Sequence, residues 1–279
     1  MSRASLAVAL LLAATGVSYA QQKITWKQTI DLPKGQNISR ERADMLGIEF
    51  GDSYAEAKAK LEKLAAEGIQ QNPATPAVRE MERIFQMQVP GASQVMTARF
   101  VASLQLARRM PGSGNRSIEE TLTIHLSAPS SGNQVVAMER FLHYSEADQP
   151  RISEVLAQLK AKFKADPQVA SNIGSTTYVY QFNNGQPFIP KKPPRLECAP
   201  ALNAMENIDG IRYLNQEREC DVVFRLAANH GISRDHASSL NFSFGDNARI
   251  KAYGAADFAY VEGYIRSLQE RTRGAPPKL

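Results

Sequence analysis

Three consecutive stretches of the chain read as strands, two of them alternating apolar and polar residues with a period of two, and no other feature constrains the fold as tightly. Residues 95–108 are mostly apolar with polar interruptions. Residues 117–126 set Ile118, Leu122, Ile124 and Leu126 against Thr121, Thr123 and His125. Residues 135–144 set Val136, Met138 and Leu142 against Glu139 and His143. Only an extended strand sends every second side chain to one side, so the pattern predicts a sheet with one buried and one wet face. The joins, Pro111-Gly112-Ser113-Gly114-Asn115 and Pro129-Ser130-Ser131-Gly132-Asn133, are turn chemistry. Strands joined so closely fold back antiparallel, and the apolar face of such a meander needs helices to cover it.

The flanking segments supply them. Residues 45–50 read as a short strand, followed by a turn at Gly51, an N-cap at Asp52 or Ser53 and a helix to about Ala66. Ala57, Leu61, Leu64 and Ala65 share one side of that helix, and Gly68 ends it. Residues 77–87 read as a second, shorter helix. Beyond the meander, Gln149-Pro150 opens a helix to Lys164 with Ile152, Val155, Leu156, Leu159 and Phe163 as its buried stripe. An aromatic strand at 176–182, ended by Asn183-Asn184-Gly185, and strands at 220–227 and 239–244 follow. A closing helix at 255–269 turns Phe258, Val261, Ile265 and Leu268 inward. The expectation is an α+β fold: antiparallel sheets with amphipathic helices packed on one face, in two units, 45–146 and 147–270. Segment 21–44 is expected to be a loosely held entry with an edge strand at 23–30, and 271–279 a disordered tail. A Phe-Gly-Asp pattern ends both 48–52 and 242–246, a faint internal repeat.

The first twenty residues carry a single charge, Arg3, then an apolar run from Ala4 to Ala14, then small residues at Ser18 and Ala20. That is the tripartite pattern of a cleavable secretory leader. Its apolar core is too short to span a bilayer, which takes roughly 20 residues, and no later stretch is long and apolar enough. The expected location is therefore periplasmic or secreted. Cys198 and Cys220 are the only two cysteines. Outside the cytoplasm such a pair is expected to form a disulfide. Two cysteines without a neighbouring histidine or third cysteine are half a zinc ligand set, and a redox pair is more often spaced C-x-x-C.

Composition, 43% apolar and 22% charged with net charge +5, is that of an ordinary globular chain. The charge is mild, and no basic–aromatic stripe suggests nucleic acid. No phosphate-binding loop, dinucleotide fingerprint, His-Glu-x-x-His or Gly-x-Ser-x-Gly occurs, so no catalytic residue, metal or cofactor is assigned. Histidine offers a metal candidate: His125 and His143 fall on neighbouring strands, with Glu139 beside them, and would form a site only if the register brings them together. His230 and His236 flank a loop. Tyr178, Tyr180 and Phe182 could line a ligand groove, although strand aromatics usually serve sheet packing.

The run Leu46-Gly47-Ile48-Glu49-Phe50-Gly51-Asp52-Ser53 with Glu56-Ala57 resembles the Gly-Ile-x-x-Gly-x-Ser-x-x-Glu-Ala opening of small exported bacterial envelope proteins. The later stretch runs from the long strand into Gln149-Pro150, through the helix ending near Phe163, to 178–182 and Asn184-Gly185 before the paired cysteines. It is similar to uncharacterised periplasmic proteins of proteobacteria over about half of the chain. The resemblance implies export, α+β units and a disulfide, and carries no activity or functional residue across. The expected function is a non-enzymatic protein that binds an envelope partner or ligand; the alternative is a hydrolase of an envelope polymer.

Overall fold

The computed structural model describes residues 24–69, 77–88, 95–188 and 220–272. The expected leader at 1–20 and Cys198 lie outside them. The chain opens with β1 (Asp44–Met45) and β2 (Ile48–Glu49), a two-stranded hairpin turning through Leu46 and Gly47, both at positive φ. Two left-handed residues give a turn whose twist matches paired strands. Helix α1 (Tyr54–Ala66) starts at Ser53, whose hydroxyl accepts from the Glu56 amide while the Glu56 carboxylate accepts from the Ser53 amide. This reciprocal cap satisfies two otherwise orphaned donors. Each element of the opening motif thereby has a structural role. Gly51 sits at φ +85°, Asp52 is buried with Lys34 and Lys60 each 2.6 Å away, and Ala57 is buried against the core.

After α1 come β3 (Val78–Gln88), β4 (Val95–Pro111), β5 (Ser117–Leu126) and β6 (Val135–His143). Helix α2 (Ile152–Phe163) is followed by β7 (Gln168–Asn172), β8 (Ser175–Asn183), the two-residue β9 (Gln186–Pro187), β10 (Val222–His230) and β11 (Ala237–Asp246). Helix α3 (Asn247–Thr272) closes the chain. One antiparallel sheet runs in the order β3-β4-β5-β6-β11-β10-β8-β7, with β9 beside β8. A helix followed by a four-stranded antiparallel meander thus occurs twice, with β9 beside the second, and the two meanders meet last strand to last strand. Across residue 146, where a division is expected, the β6–β11 ladder makes the sheet continuous and one buried cluster spans both sides.

Two strands form where the sequence does not predict them. Residues 78–88, rich in the helix formers Arg, Glu and Met, form a strand because eleven positions pair with β4; the ladder outweighs local propensity. Strand β7, short and polar, carries no periodic signal. Two bulges also redirect β4 and β6. The register shifts at Ala102 and again at Val136. Val101 and Val135 therefore join the main core, while Phe100, Ala98, Val136 and Ala137 belong to separate clusters.

Two of those clusters belong to α3, and the third sets Phe100, Ala102 and Ala128 against Trp26. Helices α1 and α2 share the main core, with Leu61, Leu159 and Phe163 packed among the apolar sides of β4, β5, β6, β8, β10 and β11. Helix α3 instead packs Ile250 and Tyr253 against Val136 and Ala137, and Val261 and Leu268 against Ile24 and Ala98. The helices therefore do not all lie on one face. The segment expected to be loose is strapped to α3: Trp26 stacks on Tyr260 at 5.8 Å and meets Phe100 edge-on at 5.7 Å, and Arg249 donates to the carbonyls of Leu32 and Pro33. It contains no strand over 24–30. Asp257 accepts from the hydroxyls of Ser130 and Ser131 at 2.6 and 2.7 Å, tying α3 to the β5–β6 connection.

Candidate functional site

The sheet face opposite the main core is covered by α3 only in part. Side chains on it are those that alternate with core residues. Across the middle of the sheet, Arg225, Ser243, Glu139, Thr123 and Gln105 stand in one cross-strand row. One step along the strands the row is Thr177, Ala227, Asn241, Phe141, Thr121 and Ala107. Phe141 is 42% exposed there, ringed by short side chains that leave its ring proud of the surface. The seam between the two repeats runs through this face, since Phe141 lies on β6 and Asn241 opposite it on β11.

The histidines are placed by register. His125 Nε2 lies 3.1 Å from the Glu139 carboxylate, a pairing of adjacent strands on the open face. His143 stands opposite Glu119, six residues from His125 along β5, or about 20 Å at strand rise. His125 and His143 do not meet, and no group of three metal-ligating side chains occurs among the described residues. His230 Nε2 hydrogen-bonds the Thr176 hydroxyl at 3.0 Å, and His236 Nδ1 the Ser233 hydroxyl at 2.7 Å, which are turn-fixing contacts. An open polar cleft of about 550 Å³ lies by the β7–β8 turn, lined by Asn172, Thr176, His230 and Arg234 among others. It places no acid beside the histidine.

The aromatic trio lies on the other face. Tyr180 and Phe182 are buried beneath α2, with the Phe163 ring 4.9 Å from Tyr180 and 5.5 Å from Phe182. Tyr178 packs at the margin of the same core. A ligand reaches these rings only if α2 lifts. Burial pushes the Tyr180 hydroxyl up to about 12. Cys220 is buried at the start of β10 against Val223 and Val179. The same core holds a charged centre: Glu120, fully buried, is shared by Arg108 and by Arg140, the latter at 2.5 Å, and Arg108 also donates to the Leu64 carbonyl at the end of α1. This cluster fastens α1, with Arg108 also 3.7 Å from the Glu67 carboxylate.

Sequence reasoning missed Phe141 and Arg225 as exposed-face residues. The signal was present for Arg225: it is the lone charge in the otherwise apolar run Val222-Val223-Phe224-Arg225-Leu226. Among the described residues no helix is long and apolar enough to cross a membrane. Compared with protein-family models, curated proteins and solved structures, the chain matches none.

Proposed function

We propose that this is an exported, non-enzymatic binding protein of the bacterial cell envelope that engages its partner or ligand on the open face of the sheet. The observation that carries the reading is that face itself. It is a broad polar surface at the seam of two repeats, with Phe141 exposed at its centre among Thr121, Asn241 and Ala107. An aromatic ring standing among short polar side chains offers contact area with hydrogen-bonding groups around it, the composition of a recognition surface. The leader-like residues 1–20 support export to the periplasm or beyond, where Cys198 and Cys220 would close a disulfide contributing about 3 kcal/mol. The hydrolase alternative loses its metal candidate with the separation of His125 from His143.

Site-specific photo-crosslinking in the native host tests the reading. A photoreactive residue at Phe141 or Asn241 should give discrete adducts, and one at Glu62 on the solvent side of α1 should not. Equal labelling at all three, or none at any, overturns the surface assignment. Intact-mass analysis of the purified native protein tests export: the expected chain begins near Gln21 and lacks two thiol protons.

A further inference from the structure

Arg225 lies on the sheet face opposite the main core, between Phe224 and Leu226, and is only partly exposed there. Its cross-strand neighbours are Val179 on β8 and Ser243 on β11. On the far side of Val179 the same row continues to Gln168 on β7, and Gln181 lies two residues along β8. Three long polar side chains therefore surround one short apolar one. Val179 in turn packs with the buried Val223 and Cys220, so the floor between them is apolar.

Among the described residues, four polar atoms of these side chains lack a partner. The Nε of Arg225, both amide atoms of Gln168 and the Oε1 of Gln181 are buried without a hydrogen bond. Gln181 is only 6% exposed. Among the described residues Arg225 has no ion pair. The acid on its own row, Glu139, stands two strands away beyond Ser243, about 10 Å at strand spacing, and is engaged with His125. A buried polar atom left unpaired costs about 1–3 kcal/mol, and a guanidinium more. Four such atoms on adjacent strands, turned to one side, are a cost that a bound group would remove.

We propose that Arg225, Gln168 and Gln181 form a recognition site for an oxyanion, a carboxylate or a phosphate, flanked by hydroxyl or N–H donors on the same ligand. The guanidinium fork matches the oxygen pair of such a group, and the Gln168 Nε2 adds a donor beside it. The orphaned Oε1 atoms of Gln168 and Gln181 are acceptors and require donors, which a bare anion does not carry. A sugar acid or a peptide carboxyl terminus has both. The proposal rests on the sheet face opposite the main core being the binding surface and names the ligand chemistry of its more buried β7–β10 half.

The test is NMR titration of the full chain, following the arginine Nε–Hε resonances, with acetate, inorganic phosphate, glucuronate and neutral methyl glucoside as probes. The Arg225 signal is assigned by its loss in Arg225→Lys. The expected result is a saturable shift of that signal at millimolar concentration with glucuronate, at least about threefold tighter than with acetate, and none with the glucoside. Phosphate binding in preference to both carboxylates would assign the oxyanion as a phosphate. Arg225→Gln should weaken binding by about tenfold or more while leaving the thermal midpoint unchanged or raised, because no internal partner is lost and an unpaired buried charge is removed. The proposal is overturned if no anion shifts the Arg225 signal up to about 50 mM, or if other arginines shift equally. A large drop in thermal midpoint for Arg225→Gln, revealing an internal partner, also overturns it. Persisting crosslinks at Phe141 with failed titrations would reject this ligand chemistry alone.

Discussion

Replacing Arg249 by methionine tests how the N-terminal segment, the end of β11 and α3 are held together. The side chain is fully buried. Its guanidinium donates to the carbonyls of Leu32 at 3.0 Å and Pro33 at 2.7 Å, to Gln134 Oε1 at 3.1 Å and to the Tyr253 hydroxyl at 2.8 Å. It also faces the Asp246 carboxylate at 3.4 Å. Methionine keeps much of the volume and removes every donor. Breaking a buried pair by deleting one partner costs about 3–5 kcal/mol, chiefly through the charge left behind. Asp246 keeps only Asn37 and the Arg249 backbone amide as donors. The expected loss in urea unfolding at neutral pH is therefore about 4 kcal/mol, a fall in midpoint of roughly 8–16 °C at 2–4 °C per kcal/mol. The pH dependence has a definite sign. Burial already raises the Asp246 carboxyl above its usual range, so the folded state holds that proton more tightly than the unfolded chain. Stability tied to this group grows as pH falls from the folded value toward the unfolded one, and the deficit of Arg249→Met should narrow in acid. Adding Asp246→Asn should recover at least about half of the loss. A single-variant loss below about 1 kcal/mol, or strict additivity in the double variant, would refute the reasoning.

Phe163→Ala should cost about 3–5 kcal/mol in denaturant unfolding, because the ring is fully buried against Tyr180, Phe182, Phe224 and Phe244 and leaves a cavity among rigid rings. Glu56→Gln should cost about 0.5–1 kcal/mol at pH 7, discounted for solvent exposure. The Ser53 amide and then Lys34 hold the Glu56 carboxyl down at about 2, so its contribution is present above the unfolded value of 4.5 and fades as pH falls through about 2; acid titrations of the two proteins should converge there. Gly51→Ala should lose about 1–2 kcal/mol by thermal melting, since φ is +85° and the new methyl would lie 3.1 Å from Lys34 Cγ and 3.3 Å from Arg249 Nη1.

The elements that were legible in advance are those whose signal is local. Strand β5 has the bounds its alternation predicts, and β6 ends one residue early. Helix α1 starts at Ser53, one of the two N-caps the sequence offers, and Asn184-Gly185 turns at positive φ as such a pair should. The β3 segment was misread because helix propensity is also local and was outweighed by eleven pairings with β4. The candidate site suffered more. Tyr178, Tyr180 and Phe182 alternate on one side of β8, but alternation does not say which side faces α2 and which faces solvent.

The amino-acid order by itself determined the periodicities, caps and turn glycines of this protein, and hence its α+β class, because each depends on interactions within a few residues. Tertiary structure alone decided that β6 would pair with β11, that α3 would cross to the second face and that bulges at Ala102 and Val136 would split two strands between cores. It also decided that His125 and His143 would stand far apart and Arg225 without a partner. The physical reason is that a ladder joins residues about a hundred positions apart, and a one-residue change of register sends every side chain of a strand to the opposite face.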